Sequence, residues 1–335
     1  MHHRLLFVLL CLCAALGCSN LRPEHIWDDR YIEATARHDE GAYEAASAHY
    51  AQLLKHAPDE DAARLIRYRQ ALLAQDTGRK EQALKAYRAL YEADVVDEHG
   101  ARALSKASDL VTQQDQRAQL KQRLAARYPQ TIDAEHALEW LRHWARQQGT
   151  SEQYLSWLRQ LQPKFKGSDL EDHALFTQAL VLEEDLKRPD DALAQYKAVY
   201  DSDPQGSLAD DALWRMASAY EALGKWKSAL VWLERVSQDN ETSWFIGTYA
   251  SEFADDARLR MGWIYKNKLK DYDRAAKQYR VFLEEFPDSR LADDAAWQLV
   301  ELKRLSGAED YARARAQFLK SYPHSRFARD AQGKP

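Results

Sequence analysis

Three side-chain types in this chain could do chemistry: thiols, paired carboxylates and imidazoles. The cysteines Cys11, Cys13 and Cys18 all fall within the first 18 residues. Beyond Cys18, then, no intrachain disulfide or thiolate metal site can form. Paired carboxylates recur as Asp210-Asp211, Asp255-Asp256 and Asp293-Asp294, residues that would suit calcium binding or acid–base work. Each pair sits inside the same wording, Ala-Asp-Asp-Ala, at the start of a helical pattern. There, carboxylates complement the positive end of a helix dipole, which is the reading adopted. Beyond His2-His3, the histidines are scattered singly. His49 and His56, like His136 and His143, are seven apart, too far for the i, i+4 spacing of a helical ligand pair. No H-E-x-x-H, G-x-S-x-G, G-x-x-x-x-G-K or G-x-G-x-x-G occurs. These observations predict no catalytic residue, no metal and no cofactor.

The segment holding the cysteines has its own logic. Met1-His2-His3-Arg4 is followed by an apolar run from Leu5 to Leu16 and then by Gly17-Cys18. A basic start, a short apolar stretch and small residues at its end make a secretory signal peptide. The run is shorter than the roughly 20 residues that span a bilayer as a helix. Ala15-Leu16-Gly17-Cys18 resembles the lipobox of bacterial lipoproteins. That resemblance implies cleavage between Gly17 and Cys18, acylation of Cys18 with palmitate-type chains, and a durable membrane anchor. Ser19, in place of Asp, implies the outer membrane by the same resemblance, with the chain facing the periplasm.

The remaining elements must be helices. The chain has 335 residues, 45% of them hydrophobic and 11% aromatic, with only 12 Gly and 9 Pro. Disorder and collagen-like repeats are excluded by that balance. Its 47 Lys+Arg and 52 Asp+Glu are well mixed, for a net charge of -5, and leave no basic footprint for nucleic acid. Self-similarity is plain. Gly206-Ser207-Leu208, Ser251-Glu252-Phe253 and Ser289-Arg290-Leu291 each precede Ala-Asp-Asp-Ala, and Ser325-Arg326-Phe327-Ala328-Arg329-Asp330-Ala331 is a degenerate fourth copy. The serines are spaced by 44, 38 and 36 residues, and each is placed to cap a helix start. A two-helix unit follows each copy. Leu213, Met216, Ala217 and Tyr220 form one apolar stripe, Gly224 stops it, and Trp226, Ala229, Leu233 and Val236 form the next.

The next unit reads Met261, Gly262, Tyr265, then Tyr272, Ala275, Tyr279, Phe282 and Pro287. This pattern resembles the tetratricopeptide repeat, with a small residue at position 8, an aromatic at 24 and Pro at 32. Weaker copies contain Gly41, Tyr50 and Pro58, then Ala71, Gly78, Ala83 and Tyr87, then Ala179, Ala192, Tyr196 and Pro204. Leucines at 104, 110, 120, 124, 138, 141, 155, 158 and 161 keep helical periodicity where the signature fades. The resemblance implies an all-α, right-handed superhelical solenoid of about eight helix pairs with a concave face. The expected organisation is a signal peptide over 1–17, a lipidated tether over 18–23 and repeats over 24–93. Degenerate helical repeats follow over 94–168, then repeats over 169–323 and a capping tail over 324–335. The wording Phe-x-x-Phe/Tyr-Pro-x-Ser near the C-terminus resembles envelope repeat proteins. These include the outer-membrane-assembly lipoprotein BamD, the Tol-Pal-associated periplasmic repeat protein and the helical ring of soluble lytic transglycosylases.

In tetratricopeptide repeats, positions 2, 5, 9 and 12 of each first helix line the concave face. Carried over here, position 5 falls on Tyr68, Phe176, Trp214, Leu259 and Trp297, and position 9 on Leu72, Leu180 and Trp263. These rings either form an aromatic ladder for a partner segment or pack between adjacent first helices. The longer Ser207-to-Ser251 spacing holds an insertion, residues 240–249, containing Trp244 and Phe245. It is either an extra half-turn of core or an exposed contact. The implied function is a lipid-anchored periplasmic scaffold that docks envelope proteins during assembly, division, secretion or motility. A non-catalytic peptidoglycan-associated factor is the alternative, since aromatic rings also stack on sugars.

Overall fold

Helix stops set the architecture. Gly78 and Gly224 stand at φ +75° and +69° just past the ends of first helices, a conformation that costs a side-chain-bearing residue about 1–2 kcal/mol. The computed structural model describes residues 23–168, 170–238, 240–243, 247–250 and 253–332. Gly17, Cys18, Trp244 and Phe245 lie outside the described residues. Among those described, helices form eight pairs: α1 Pro23–Asp39 and α2 Tyr43–Lys55; α3 Glu60–Asp76 and α4 Lys80–Tyr91; α5 Glu98–Leu110 and α6 Gln114–Arg127; α7 Ile132–Gln148 and α8 Ser151–Phe165; α9 Leu170–Leu180 and α10 Pro189–Ser202; α11 Ala209–Ala222 and α12 Trp226–Gln238; α13 Ala254–Ile264 and α14 Tyr272–Glu285; α15 Ala292–Leu305 and α16 Tyr311–Ser321. A short α17, Ala328–Gln332, follows. The expected all-α class and the number of pairs are both seen.

Contacts divide the chain into two compact units, Met1–Trp144 and Ala145–Pro335, with the division inside α7. In the first unit, α1 to α6 each pack on the next helix, and α3 also touches α5. In the second, α8 to α17 each pack on the next. The core of each unit is built on tyrosines at one recurring position of the second helices. Tyr50, Tyr87, Tyr196 and Tyr279 are fully buried. Tyr87 donates to Oε1 of Gln75 at 3.0 Å and Tyr196 to Oε2 of Glu183 at 2.6 Å. Burial pushes the Tyr50 hydroxyl up to about 12. A small residue on the first helix makes room for the Tyr279 ring. A Cβ added at Gly262 would lie 2.5 Å from Cε1 of Tyr279, so α13 and α14 approach as closely as glycine allows.

Three details differ from the sequence expectations. Ser207 and Ser289 do not cap the helices, and Ser251 lies outside the described residues. Residues Leu208, Phe253 and Leu291 occupy the cap positions, without side-chain cap bonds. Ser289 lies one turn further back, where its carbonyl accepts from Ala292 N and its hydroxyl donates to Oδ2 of Asp255 at 2.7 Å. It therefore ties one repeat to the previous one. Second, π-helical turns at Val181–Asp185 and Tyr265–Leu269 extend α9 and α13. Third, the described residues of the insertion pair as two strands. Strand β1, Asn240–Ser243, pairs antiparallel with β2, Gly247–Ala250, in the register Asn240↔Ala250 to Ser243↔Gly247.

In the first unit, a buried ion pair fixes α3 to α5. The Arg64 guanidinium donates to both carboxylate oxygens of Asp97 and to the Leu90 carbonyl at 3.1 Å. Asp97 also caps α5 by accepting from Gly100 N at 2.7 Å. Burial by itself would raise the Asp97 carboxyl. The bonds from Arg64 and Gly100 and the Arg64 charge outweigh it and hold the group below the usual carboxylate range.

Candidate groove on the first helices of the second unit

Within the second unit, the first helices α11, α13 and α15 stand in sequence order and leave a groove of about 460 Å³. Its apolar surface comes from Trp214 on α11 and from Leu259 and Trp263 on α13, with Tyr279 of α14 beneath. Its polar groups are Glu221, Asp256, Arg260, Asp294 and Gln298. Trp263 is 42% exposed, an unusual state for so large an apolar side chain within a line of packed helices. Trp214 is backed by Phe253, their rings stacked at 5.2 Å and 12°. The Lys268 amine stands 5.2 Å from the Trp263 ring centre and 4.6 Å from that of Trp226.

Most of the charge in this groove is already matched. Arg260 Nε donates to Oε1 of Glu221 at 2.6 Å, and its guanidinium lies 5.4 Å from the Trp214 ring centre. The Glu221 side chain is only 9% exposed, so this pair is well shielded. Asp294 takes the guanidinium of Arg326. Lys266 donates to Oε1 of Gln298 at 2.6 Å, and burial lowers its pKa while Glu301 acts to raise it. Asp256 is different. Among the described residues no hydrogen bond or ion pair reaches its carboxylate. Burial, then the like charge of Asp255, raise its pKa, and Arg260 offsets this only in part.

The sequence-predicted residues do not form one ladder. Trp214, Leu259 and Trp263 come together in the groove. Tyr68 does not line an open face: it is 7% exposed and packs against Tyr87 at 6.0 Å in the first unit's core. Trp297 is likewise 7% exposed, held between Phe318 at 5.2 Å and Phe327 at 5.7 Å. Phe176 is half-buried, edge-on to Tyr196 at 5.5 Å. Tyr68 and Trp297 are thus covered by neighbouring rings, whereas Trp214 lines the groove with Phe253 stacked on it. Sequence reasoning took Asp256 and Asp294 for helix-start carboxylates and did not single out Glu221, although positions 2 and 12 of the same register fall on them.

Models of the tetratricopeptide repeat match residues 185–243 and 256–289. The chain carries tetratricopeptide repeats. The two matched segments contain Trp214, Glu221, Asp256, Leu259, Arg260, Trp263 and Tyr279, so the repeats build most of the groove. Among solved structures, a crystal structure of MamA protein is 14% identical, with 56% of this chain and 92% of that chain covered and a TM-score of 0.40. A tetratricopeptide repeat protein from Parabacteroides merdae is 13% identical, with 80% and 96% covered and a TM-score of 0.35. No curated protein matches the chain. Tetratricopeptide repeats are protein-interaction modules, and the groove on their first helices presents the exposed Trp263 beside Trp214 and Leu259.

Proposed function

We propose that this chain is a lipid-anchored scaffold of the bacterial outer membrane that docks a protein segment on its tetratricopeptide repeats in the periplasm. The supporting observation is the groove of α11, α13 and α15, where Trp214, Leu259 and the exposed Trp263 share one surface. Anchoring is supported by Ala15-Leu16-Gly17-Cys18 and by the absence of any later cysteine. The C-terminal Phe-Pro wording supports a setting in envelope assembly, division, secretion or motility.

Two experiments test the two halves. Replacing Cys18 by Ala should abolish acylation and release the chain from the outer-membrane fraction; an unchanged distribution overturns the anchor. Affinity purification from solubilised membranes should recover a protein with the native chain and lose it with a Trp214→Ala/Trp263→Ala variant. Recovery of purified sacculi instead, with no protein, would transfer the reading to a peptidoglycan-associated factor.

A further inference from the structure

The repeats can be compared position by position within the second unit. Asp256 on α13 corresponds to Asp294 on α15, because each is the third residue of its Ala-Asp-Asp-Ala wording. The two carboxylates fare differently. Asp294 is met by Arg326, which belongs to the segment leading into the next repeat. The Arg326 guanidinium also lies 4.8 Å from the ring centre of Phe327, and Phe327 stacks at 12° on Trp297. The chain thus places a cation on the position-2 aspartate and an aromatic ring on the position-5 side chain, from adjacent residues of one short segment. One repeat earlier, the residue equivalent to Arg326 is Arg290, and that equivalent to Phe327 is Leu291. Arg290 is exposed and makes no ion pair with Asp256 among the described residues. Of the three carboxylates that line the groove, Asp256 is therefore the one without an ion pair among the described residues. Glu221 is matched by Arg260, Asp294 by Arg326, and the Lys266 charge is near Glu301.

We propose that the partner segment docking in this groove carries an arginine or lysine beside a large apolar side chain, the cation meeting Asp256 and the apolar group resting on Leu259 and Trp263. This rests on the docking reading given above and specifies its partner. The internal Arg326-Phe327 pair on Asp294 and Trp297 is the same chemistry supplied in cis. Two further observations fit. Asp256 is exposed, so a partner cation can reach its carboxylate, and partial desolvation and the neighbouring Asp255 charge raise its pKa. The adjoining apolar surface is large and open at Trp263, where an apolar anchor can be desolvated.

The test uses the full chain in detergent and two short, terminally blocked peptides. They are identical except that the residues flanking a central Phe are Arg in one and Glu in the other. Binding is read by fluorescence anisotropy. The Arg peptide should bind about fivefold or more tightly than the Glu peptide, the size of one favourable exposed ion pair. Raising the salt should shrink the difference. Asp256→Asn should erase most of it, and Arg290→Gln should preserve it, since Arg290 is not the cation that Asp256 holds. Circular dichroism of the exposed-site variants checks that they fold. Equal binding of both peptides, lost on Trp263→Ala, would overturn the charge assignment and leave the docking groove standing. No effect of Asp256→Asn, tighter binding of the Glu peptide, or binding of neither peptide would also overturn the proposal. Failure of the docking reading itself shows separately, as loss of no partner from the Trp214→Ala/Trp263→Ala variant in membranes.

Discussion

Gly262→Ala is the sharpest probe of how these repeats are held together. The added Cβ would fall 2.5, 2.6 and 2.9 Å from Cε1, Cζ and Cδ1 of Tyr279. Tyr279 is 1% exposed and clustered with Ala275, Phe282 and Ala295, so its ring has little room to retreat. Overpacking of this kind costs about 1–3 kcal/mol. Against it stands a helix-propensity gain of about 1 kcal/mol for replacing glycine by alanine. The net expectation is a destabilisation of up to about 2 kcal/mol. For a unit of this size that is up to roughly 8 °C in Tm, read by calorimetry of the unit that contains α13 and α14. Tyr279→Leu supplies the residue type found at Leu233 in the preceding pair. In the double variant Gly262→Ala/Tyr279→Leu, the penalty of the alanine should vanish. A Gly262→Ala chain at least as stable as the native one would refute the close approach of α13 and α14.

Other perturbations separate packing from binding. Trp297→Ala should lower stability by about 3–5 kcal/mol, as expected for a core aromatic, whereas Trp263→Ala should change the melting curve little and weaken partner binding. Lys270 and Lys187 hold left-handed backbone at φ 55° and 57° after the π turns. Lys270→Gly should therefore raise the urea midpoint, a gain of up to about 1 kcal/mol. Arg64→Ala should destabilise the first unit by about 3 kcal/mol, because it leaves Asp97 partly buried without its cation. Since the folded Asp97 pKa is depressed, its contribution is complete above the ordinary carboxylate range. It is lost as pH falls through the lower folded value. Asp97→Asn should therefore remove part of the acid-unfolding limb of the first unit without steepening the alkaline side.

Much of the fold was legible because the stops and the ring positions are local signals. Gly78 and Gly224 end helices whatever surrounds them, and buried tyrosines recur on the second helices. Leucine spacing sufficed to carry α5 to α8 where the repeat wording faded. The π turns were also encoded, since Gly262 to Tyr279 is one residue longer than Ala71 to Tyr87. That extra residue must bulge for the ring to reach its small partner. The burial of Tyr68 and Trp297 was not legible, because it depends on what a neighbouring helix supplies. Phe318 and Phe327 close over Trp297 from beyond its own helix. The serines misled because a cap and a turn one step earlier use the same residue type. At the groove, the apolar members follow from position 5 and position 9. The lone state of Asp256 emerges only when the partners of Glu221 and Asp294 are seen.

Site-directed photocrosslinking in living cells tests the docking groove most directly. A photoreactive residue would replace Leu259 or Trp263, with Val231, 65% exposed on α12 away from the groove residues, as the control. One common protein adduct is expected from positions 259 and 263, absent from position 231 and depleted by Asp256→Asn. The same adducts from all three positions, or none from 259 and 263, would contradict docking in this groove.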